Sequence, residues 1–290
     1  MRTILLLGST GLLGQAFRKL YEGLGHRVIG ISRLNSDINL DVADSIALTK
    51  ILDSLVPDLI INCAAIVDIG YCEKNSERAF AVNTKPVGVI CSWAGKRNTQ
   101  FVQISSDHFF AGRGRRANSE TDPVEIKNHY ADSKYQAEQI AMSYKNSLVL
   151  RTSILGVRGW EAPTFYEWAL DVVNNNLAVT LFSDAYTSSI DVYQFVDLAN
   201  ELVLGNNKGL YNLAAREVYS KKEFVIKLAD QLGADLDNYK SGSIKSLPVR
   251  RSESLGLDVT KVTQTLSKEP PNLEEVITSL LANSQNRLNP

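Results

Sequence analysis

The sequence predicts an α/β fold built on a doubly wound parallel sheet. Three observations carry that reading: a short, wholly apolar opening run, a glycine-rich turn directly behind it, and a strand and helix alternation sustained through about residue 153. Composition supports an ordinary globular chain. Its 290 residues are 44% hydrophobic and 22% charged, with 18 Gly and 8 Pro, which excludes fibrous and disordered classes and leaves room for two domains. Lys and Arg number 31 against 32 Asp and Glu, so no overall field favours nucleic acid or an acidic membrane.

The elements follow in order. Residues 3–7 (TILLL) read as a strand buried on both faces, and the apolar spacing from Leu12 to Tyr21 then becomes helical. Strand-like 27–31, helical 44–55, strand-like 58–62, helical 76–96, strand-like 101–105, helical 130–145 and strand-like 147–153 continue the pattern. Pro86 predicts a late start or a kink in the 76–96 helix. Beyond about residue 155 the rhythm breaks at Gly156, Gly159 and Pro163, before the aromatic cluster Trp160, Phe165, Tyr166 and Trp168. A helix over 191–204 and a strand over 209–214 suggest a return to the first lobe, followed by helices at 221–232 and 272–282. The expected division is therefore 1–155 with about 190–215 as a dinucleotide-binding domain, and 156–189 with 216–290 as a smaller, mostly helical substrate lobe.

Cys63, Cys72 and Cys91 show neither disulfide nor zinc spacing, and three His complete no metal pattern, so a reducing, cytoplasmic setting without a metal is expected. Only four apolar residues, Ile4 to Leu7, follow Met1-Arg2-Thr3, and no run approaches the roughly 18 to 20 residues that span a bilayer.

Chemistry gathers at three places. Gly8-Ser9-Thr10-Gly11-Leu12-Leu13-Gly14 lies between the first strand and first helix, where glycine lets backbone N–H groups approach a pyrophosphate at a helix N-terminus. The end of the second strand carries Ser32 and Arg33 rather than a carboxylate, which favours the 2′-phosphate of NADP(H), with NAD(H) as the alternative; a solvated surface arginine is the plainer reading. Asp41 either meets an adenine amino group or caps the helix beginning near residue 44. Tyr130 and Lys134 stand four apart on one helix face, so an ammonium can favour the phenolate and make the phenol a usable proton donor or acceptor. Ser105-Ser106-Asp107 ends the 101–105 strand, where open parallel sheets bind ligands and where a hydroxyl could meet a carbonyl oxygen.

These residues make the sequence resemble the extended short-chain dehydrogenase/reductase superfamily, and within it the dTDP-4-dehydrorhamnose reductase-like group. The glycine motif, Asn62-Cys63-Ala64-Ala65, Cys72-Glu73, Val82-Asn83, Ser105-Ser106-Asp107, Tyr130 with Lys134, Glu138, Leu150-Arg151-Thr152-Ser153 and Leu257-Asp258 before Lys261 carry the resemblance over nearly the whole chain. It implies a Rossmann-type domain and the NADPH-dependent reduction of a 4-keto-6-deoxy sugar nucleotide for polysaccharide biosynthesis. By the same resemblance Tyr130 is the general acid, Lys134 binds the nicotinamide ribose, and Ser106 orients the carbonyl. Cys63, Ala64, Ala65, Asn83 and Ser105 line the cofactor, Asp41 and Val42 meet its adenine, and a homodimer is expected. On the substrate side stand Asp68, Asp107, Trp160 and Arg251, with Arg250 as the other candidate for a diphosphate and Phe165 or Tyr166 for the base or sugar.

The substrate half departs from the group. Val67-Asp68-Ile69-Gly70, Arg251-Ser252-Glu253-Ser254-Leu255 and Ala185-Tyr186-Thr187-Ser188-Ser189-Ile190 replace its usual motifs, and Ala131 replaces the glycine after the tyrosine. Two alternatives therefore stand beside the reductase: a sugar-nucleotide epimerase or dehydratase, and a non-catalytic NADP-binding regulatory subunit.

Overall fold

The computed structural model describes residues 1–288 apart from 111, 113 and 161, with the residues after 284 described by backbone alone. In chain order the elements are β1 (Thr3–Leu7), α1 (Leu12–Gly23), β2 (Arg27–Ser32), β3 (Ile38–Asn39), α2 (Ser45–Leu55), β4 (Leu59–Asn62), α3 (Ile69–Lys74), α4 (Ser76–Asn83) and α5 (Lys85–Gly95). Next come β5 (Gln100–Ile104), β6 (Ala117–Asn118), α6 (His129–Met142), β7 (Ser147–Arg151), β8 (Ile154–Leu155), α7 (Phe165–Asn174), β9 (Val179–Phe182), β10 (Tyr186–Thr187) and β11 (Ile190–Asp191). The chain continues through α8 (Val192–Leu204), β12 (Gly209–Asn212), β13 (Tyr219–Ser220), α9 (Lys221–Leu232), β14 (Tyr239–Gly242), a 3-10 turn (Ile244–Ser246), β15 (Ser254–Leu257), α10 (Thr260–Leu266) and α11 (Leu273–Leu288). Among the described residues, no helix is long and apolar enough to cross a membrane.

Two compact units divide the chain. The first comprises Met1–Ser106, Ile126–Arg151 and Ala199–Tyr211. Its seven-stranded sheet runs β12-β7-β5-β4-β1-β2-β3, and the pairings from β7 through β3 are all parallel. Strand order reverses between β1 and β4, the switch point at which open parallel sheets bind ligands beyond the strands' C-terminal ends. Leu5, Leu6 and Leu7 are fully buried because β1 lies mid-sheet with both faces covered, and each contributes about 1.5–3 kcal/mol by leaving water. An apolar cluster joins these strands to α2, α5 and α6 through Leu48, Leu52, Ile90, Trp93 and Ala137.

Local chemistry sets the helix ends. Asp44 caps α2, accepting from the Ile46 and Ala47 amides, and Asn128 caps α6 through the Ala131 amide. The expected 76–96 helix is two helices, α4 and α5. They break at Thr84, and Pro86 occupies the first turn of α5, where its missing N–H costs nothing.

The second unit comprises Asp107–Glu125, Thr152–Leu198 and Asn212–Pro290. Its core gathers Leu155, Tyr166, Val172, Phe224, Leu228, Val276 and Ile277. Reciprocal capping boxes start α7 (Thr164 with Glu167) and α9 (Ser220 with Glu223), and Gly233 ends α9 in the left-handed conformation. The lobe is mostly helical as expected, but its expected smaller size is corrected: the two units are comparable in length, and beside its helices this one holds a four-stranded sheet, β13-β10-β15-β6, with two further strand pairs. Strands of two to four residues that pair with distant segments leave no alternation for a sequence to show.

The boundaries differ from expectation for the same reason. Residues 107–125 belong to this unit because β6 pairs with β15, Ala117 opposite Gly256 and Asn118 opposite Leu257. Residues 190–198 do too, where Asp191 accepts hydrogen bonds from Ser279 (2.7 Å) and Asn283 (3.2 Å).

Candidate active site

The glycine turn is built as a cradle. Gly8 has φ +76°, and a Cβ there would lie 2.7 Å from the Ala64 amide nitrogen, so both the conformation and the neighbouring loop demand glycine. At Gly14 a Cβ would meet the Gly8 carbonyl oxygen at 2.2 Å, which lets α1 start hard against the β1 turn. Gly11, at the N-cap, offers no side-chain acceptor, leaving the first-turn amides of α1 and its positive dipole end to a ligand. Those amides belong to Leu12, Leu13 and Gly14.

Behind the turn, the Gly8 amide donates to Ile31 O at 2.8 Å, and the Ser32 hydroxyl accepts from the Thr10 amide at 3.2 Å and bonds the Ser9 hydroxyl at 3.2 Å. Arg33 is exposed at the end of β2, and among the described residues it has no hydrogen-bonded partner. Asp41 does not cap α2, since Asp44 does; it accepts from the Ala43 amide and pairs with Arg78. Burial opposes its charge, but the Ala43 amide, Arg78 and Arg33 outweigh burial and hold the carboxyl below its usual range. Val42 is packed into the apolar core.

Ser106, Tyr130 and Lys134 come together at the C-terminal end of β5. The Tyr130 hydroxyl donates to Ser106 Oγ at 3.3 Å, and both residues are buried. Lys134 follows Tyr130 by one helical turn, and its Nζ donates to Ile104 O at 2.6 Å. Burial brings its pKa down to about 8, with Cys63 and Glu138 pulling it back up.

Several expected contact residues have structural work to do. The Ser105 hydroxyl donates to Glu138 at 2.7 Å, and Glu138, fully buried, also takes two hydrogen bonds from Arg151 at 2.9 and 2.6 Å. Asn83, also buried, staples the loop after β4 to α6: Oδ1 accepts from the Ile66 amide at 2.7 Å, while Nδ2 donates to Ile66 O and to Ser133 Oγ. Half-buried Cys63, Ala64 and Ala65 lie in that loop, and burial pushes the Cys63 thiol up. Asp68 is exposed and caps α3 through the Tyr71 amide.

In the second unit, Asp107 is buried, with His108 Nε2 at 3.7 Å from its Oδ1. Burial and the charges of Arg251 and Lys221 bring His108 down to about 4, so it is neutral at pH 7. Trp160 is half exposed under the Arg158 guanidinium, 4.3 Å from its ring centre. Tyr166 is corrected to a core residue: fully buried, it bonds the Ser284 hydroxyl at 2.9 Å. Phe165 packs at a tilt against Trp168 and Phe224 and carries the Lys221 ammonium 3.7 Å above its ring. Sequence reasoning missed Lys221; a lysine at the unfavourable first position of a helix was the available signal.

A glycine cradle at the switch point of a parallel sheet, with a buried Ser, Tyr and Lys on one side of it, defines an extended short-chain dehydrogenase/reductase. More particularly, the chain belongs to the RmlD substrate binding domain family, whose model matches residues 1–286. It is similar to a probable low-salt glycan biosynthesis reductase of Haloferax volcanii, 27% identical over 95% of this chain and 96% of that one. A dTDP-4-dehydrorhamnose reductase of Aggregatibacter actinomycetemcomitans is 25% identical over 97% and 99%. The fold matches a crystal structure of dTDP-4-dehydrorhamnose reductase from Bacillus anthracis in complex with NADP, with a TM-score of 0.87 at 18% identity over 97% and 98% of the chains.

Proposed function

We propose that the protein is an NADPH-dependent reductase of a 4-keto-6-deoxy sugar nucleotide, the first unit holding the cofactor. One observation carries the reading: the Tyr130 hydroxyl donating to Ser106 Oγ, with the Lys134 ammonium one turn along the same helix. Family membership and the reductases among its relatives support it. NADP in the B. anthracis structure supports the cofactor.

The Gly8 to Gly14 cradle and the α1 amides fit a dinucleotide pyrophosphate, and Arg33 suits a 2′-phosphate, with NAD(H) as the alternative. When bound, the nicotinamide supplies a hydride to the carbonyl carbon. Tyr130 supplies the proton to the carbonyl oxygen, and the Ser106 hydroxyl orients that oxygen by donating to it. At pH 7 a lysine with a pKa of about 8 is about nine-tenths protonated, so Lys134 stands as a cation beside the tyrosine and favours the phenolate that proton donation leaves.

The test is loss of NADPH absorbance on adding dTDP-4-keto-6-deoxy sugars. Turnover in the wild type that falls about 100-fold or more in Tyr130→Phe, with NADPH still bound, is the expected result. NADPH binding without turnover on dTDP-, UDP- or GDP-linked keto sugars would favour the regulatory subunit instead.

A further inference from the structure

Within the second unit, Asp107, His108, Lys221 and Arg251 form a charged cluster that is not balanced. Asp107 is the one carboxylate acting on Lys221 among the described residues, while Arg251 adds a second positive charge and His108 is neutral. Neither Lys221 nor Arg251 has a hydrogen-bonded acceptor among the described residues. The lysine sits over the Phe165 ring at 3.7 Å.

That position is costly in three ways. Lys221 is the first residue of α9, where the helix dipole disfavours a cation. It is desolvated, and it faces another cation, two effects that together bring its pKa to about 8 against the pull of Asp107. The Ser220 and Glu223 capping box fixes the helix start, and the Lys221 amide donates to Ala185 O at 3.0 Å, so the residue cannot swing its backbone clear. Phe165 and Asp107 offset part of this cost. A residue that breaks several local rules at once, without full compensation, marks a functional site more often than a structural one. The cluster also begins at Asp107, the residue after Ser106 in sequence.

We propose that Lys221, within the electrostatic reach of Arg251, binds a negatively charged oxygen of the sugar nucleotide, supplied by its diphosphate or by a carboxylate on the sugar. The proposal rests on the reading of the protein as a sugar-nucleotide reductase. It makes Lys221 a binding residue rather than a catalytic one.

The experiment titrates dTDP-, UDP- and GDP-glucose, and UDP-glucuronate, into NADPH-loaded wild type, Lys221→Met and Lys221→Arg by calorimetry, with a thermal melt of each protein. Expected is a loss of about 10- to 100-fold in affinity in Lys221→Met, the scale of one charge-assisted hydrogen bond, with Lys221→Arg retaining most of it. Loss on the glucose-linked probe that the wild type binds assigns the diphosphate; loss confined to UDP-glucuronate assigns the carboxylate. Lys221→Met should also melt no lower than wild type, since it removes a desolvated charge that Phe165 and Asp107 offset only in part, whereas a merely structural lysine would lower melting and binding together. Unchanged affinity in Lys221→Met for every probe the wild type binds overturns the proposal and leaves the reductase reading standing. Wild-type protein that binds NADPH but none of the four probes removes both.

Discussion

Replacing Glu138 by alanine tests whether the site's frame is electrostatic. The carboxylate is fully buried between Ser105 and Arg151, accepting three hydrogen bonds of 2.6 to 2.9 Å, and Arg151 is itself 2% exposed. Truncation would strand a guanidinium in the core with its main acceptor gone. Breaking one partner of a buried ion pair costs about 3–5 kcal/mol, because the surviving charge keeps its desolvation penalty without its Coulombic return. At about 2 °C or more per kcal/mol, the melting point should drop by about 6 °C or more. Urea unfolding followed through Trp93, which lies in the core of the same unit, measures the loss directly. The double variant Glu138→Leu with Arg151→Met should recover most of it, since apolar replacement of both partners removes both desolvation penalties. A loss below about 1 kcal/mol in Glu138→Ala, or a double variant as unstable as the single one, would refute the argument.

Three further outcomes are expected. Gly14→Ala places a Cβ 2.2 Å from the Gly8 carbonyl, so NADPH affinity should fall at least about tenfold, whereas Gly23→Ala, in the same helix with open space around it, should leave binding unchanged and slightly stabilise the protein. Arg33→Ala should weaken NADPH binding while leaving NADH binding nearly unaltered, since only the former carries the 2′-phosphate; equal losses for both would remove Arg33 from cofactor choice. For Lys134, the folded pKa of about 8 lies below the unfolded value of about 10.4. The unfolded chain therefore binds more protons between those values, and the lysine's burial penalty, complete below pH 8, relaxes as pH rises. The stability advantage of Lys134→Met over wild type should shrink over that window, while wild-type turnover, which needs the ammonium, declines above about pH 8.

Signals that lie close together in sequence were legible. Gly8, Gly11 and Gly14 announced the cradle because a strand, a turn and a helix start fall within a dozen residues, and the Tyr130 to Lys134 spacing placed both side chains on one helix face. The parallel sheet followed from unbroken apolar runs such as Ile4 to Leu7, which only a strand covered on both faces requires. Glu138 and Arg151 were visible as family residues, but not their union with Ser105, which joins a strand end, a helix and the next strand. Tyr166 read as a ligand contact, yet packing buries it in the core of the second unit. Asp41 read equally well as an adenine contact or as the α2 cap, and the backbone gives the cap to Asp44 instead. Lys221 acquired its neighbours, Phe165, Asp107 and Arg251, from segments that approach only through tertiary contacts of the second unit. The sequence by itself determined the cofactor-binding architecture, because its chemistry is written in local backbone geometry. Only the tertiary structure decided which charges are paired and which are not, because pairing is set by distances between segments far apart in the chain.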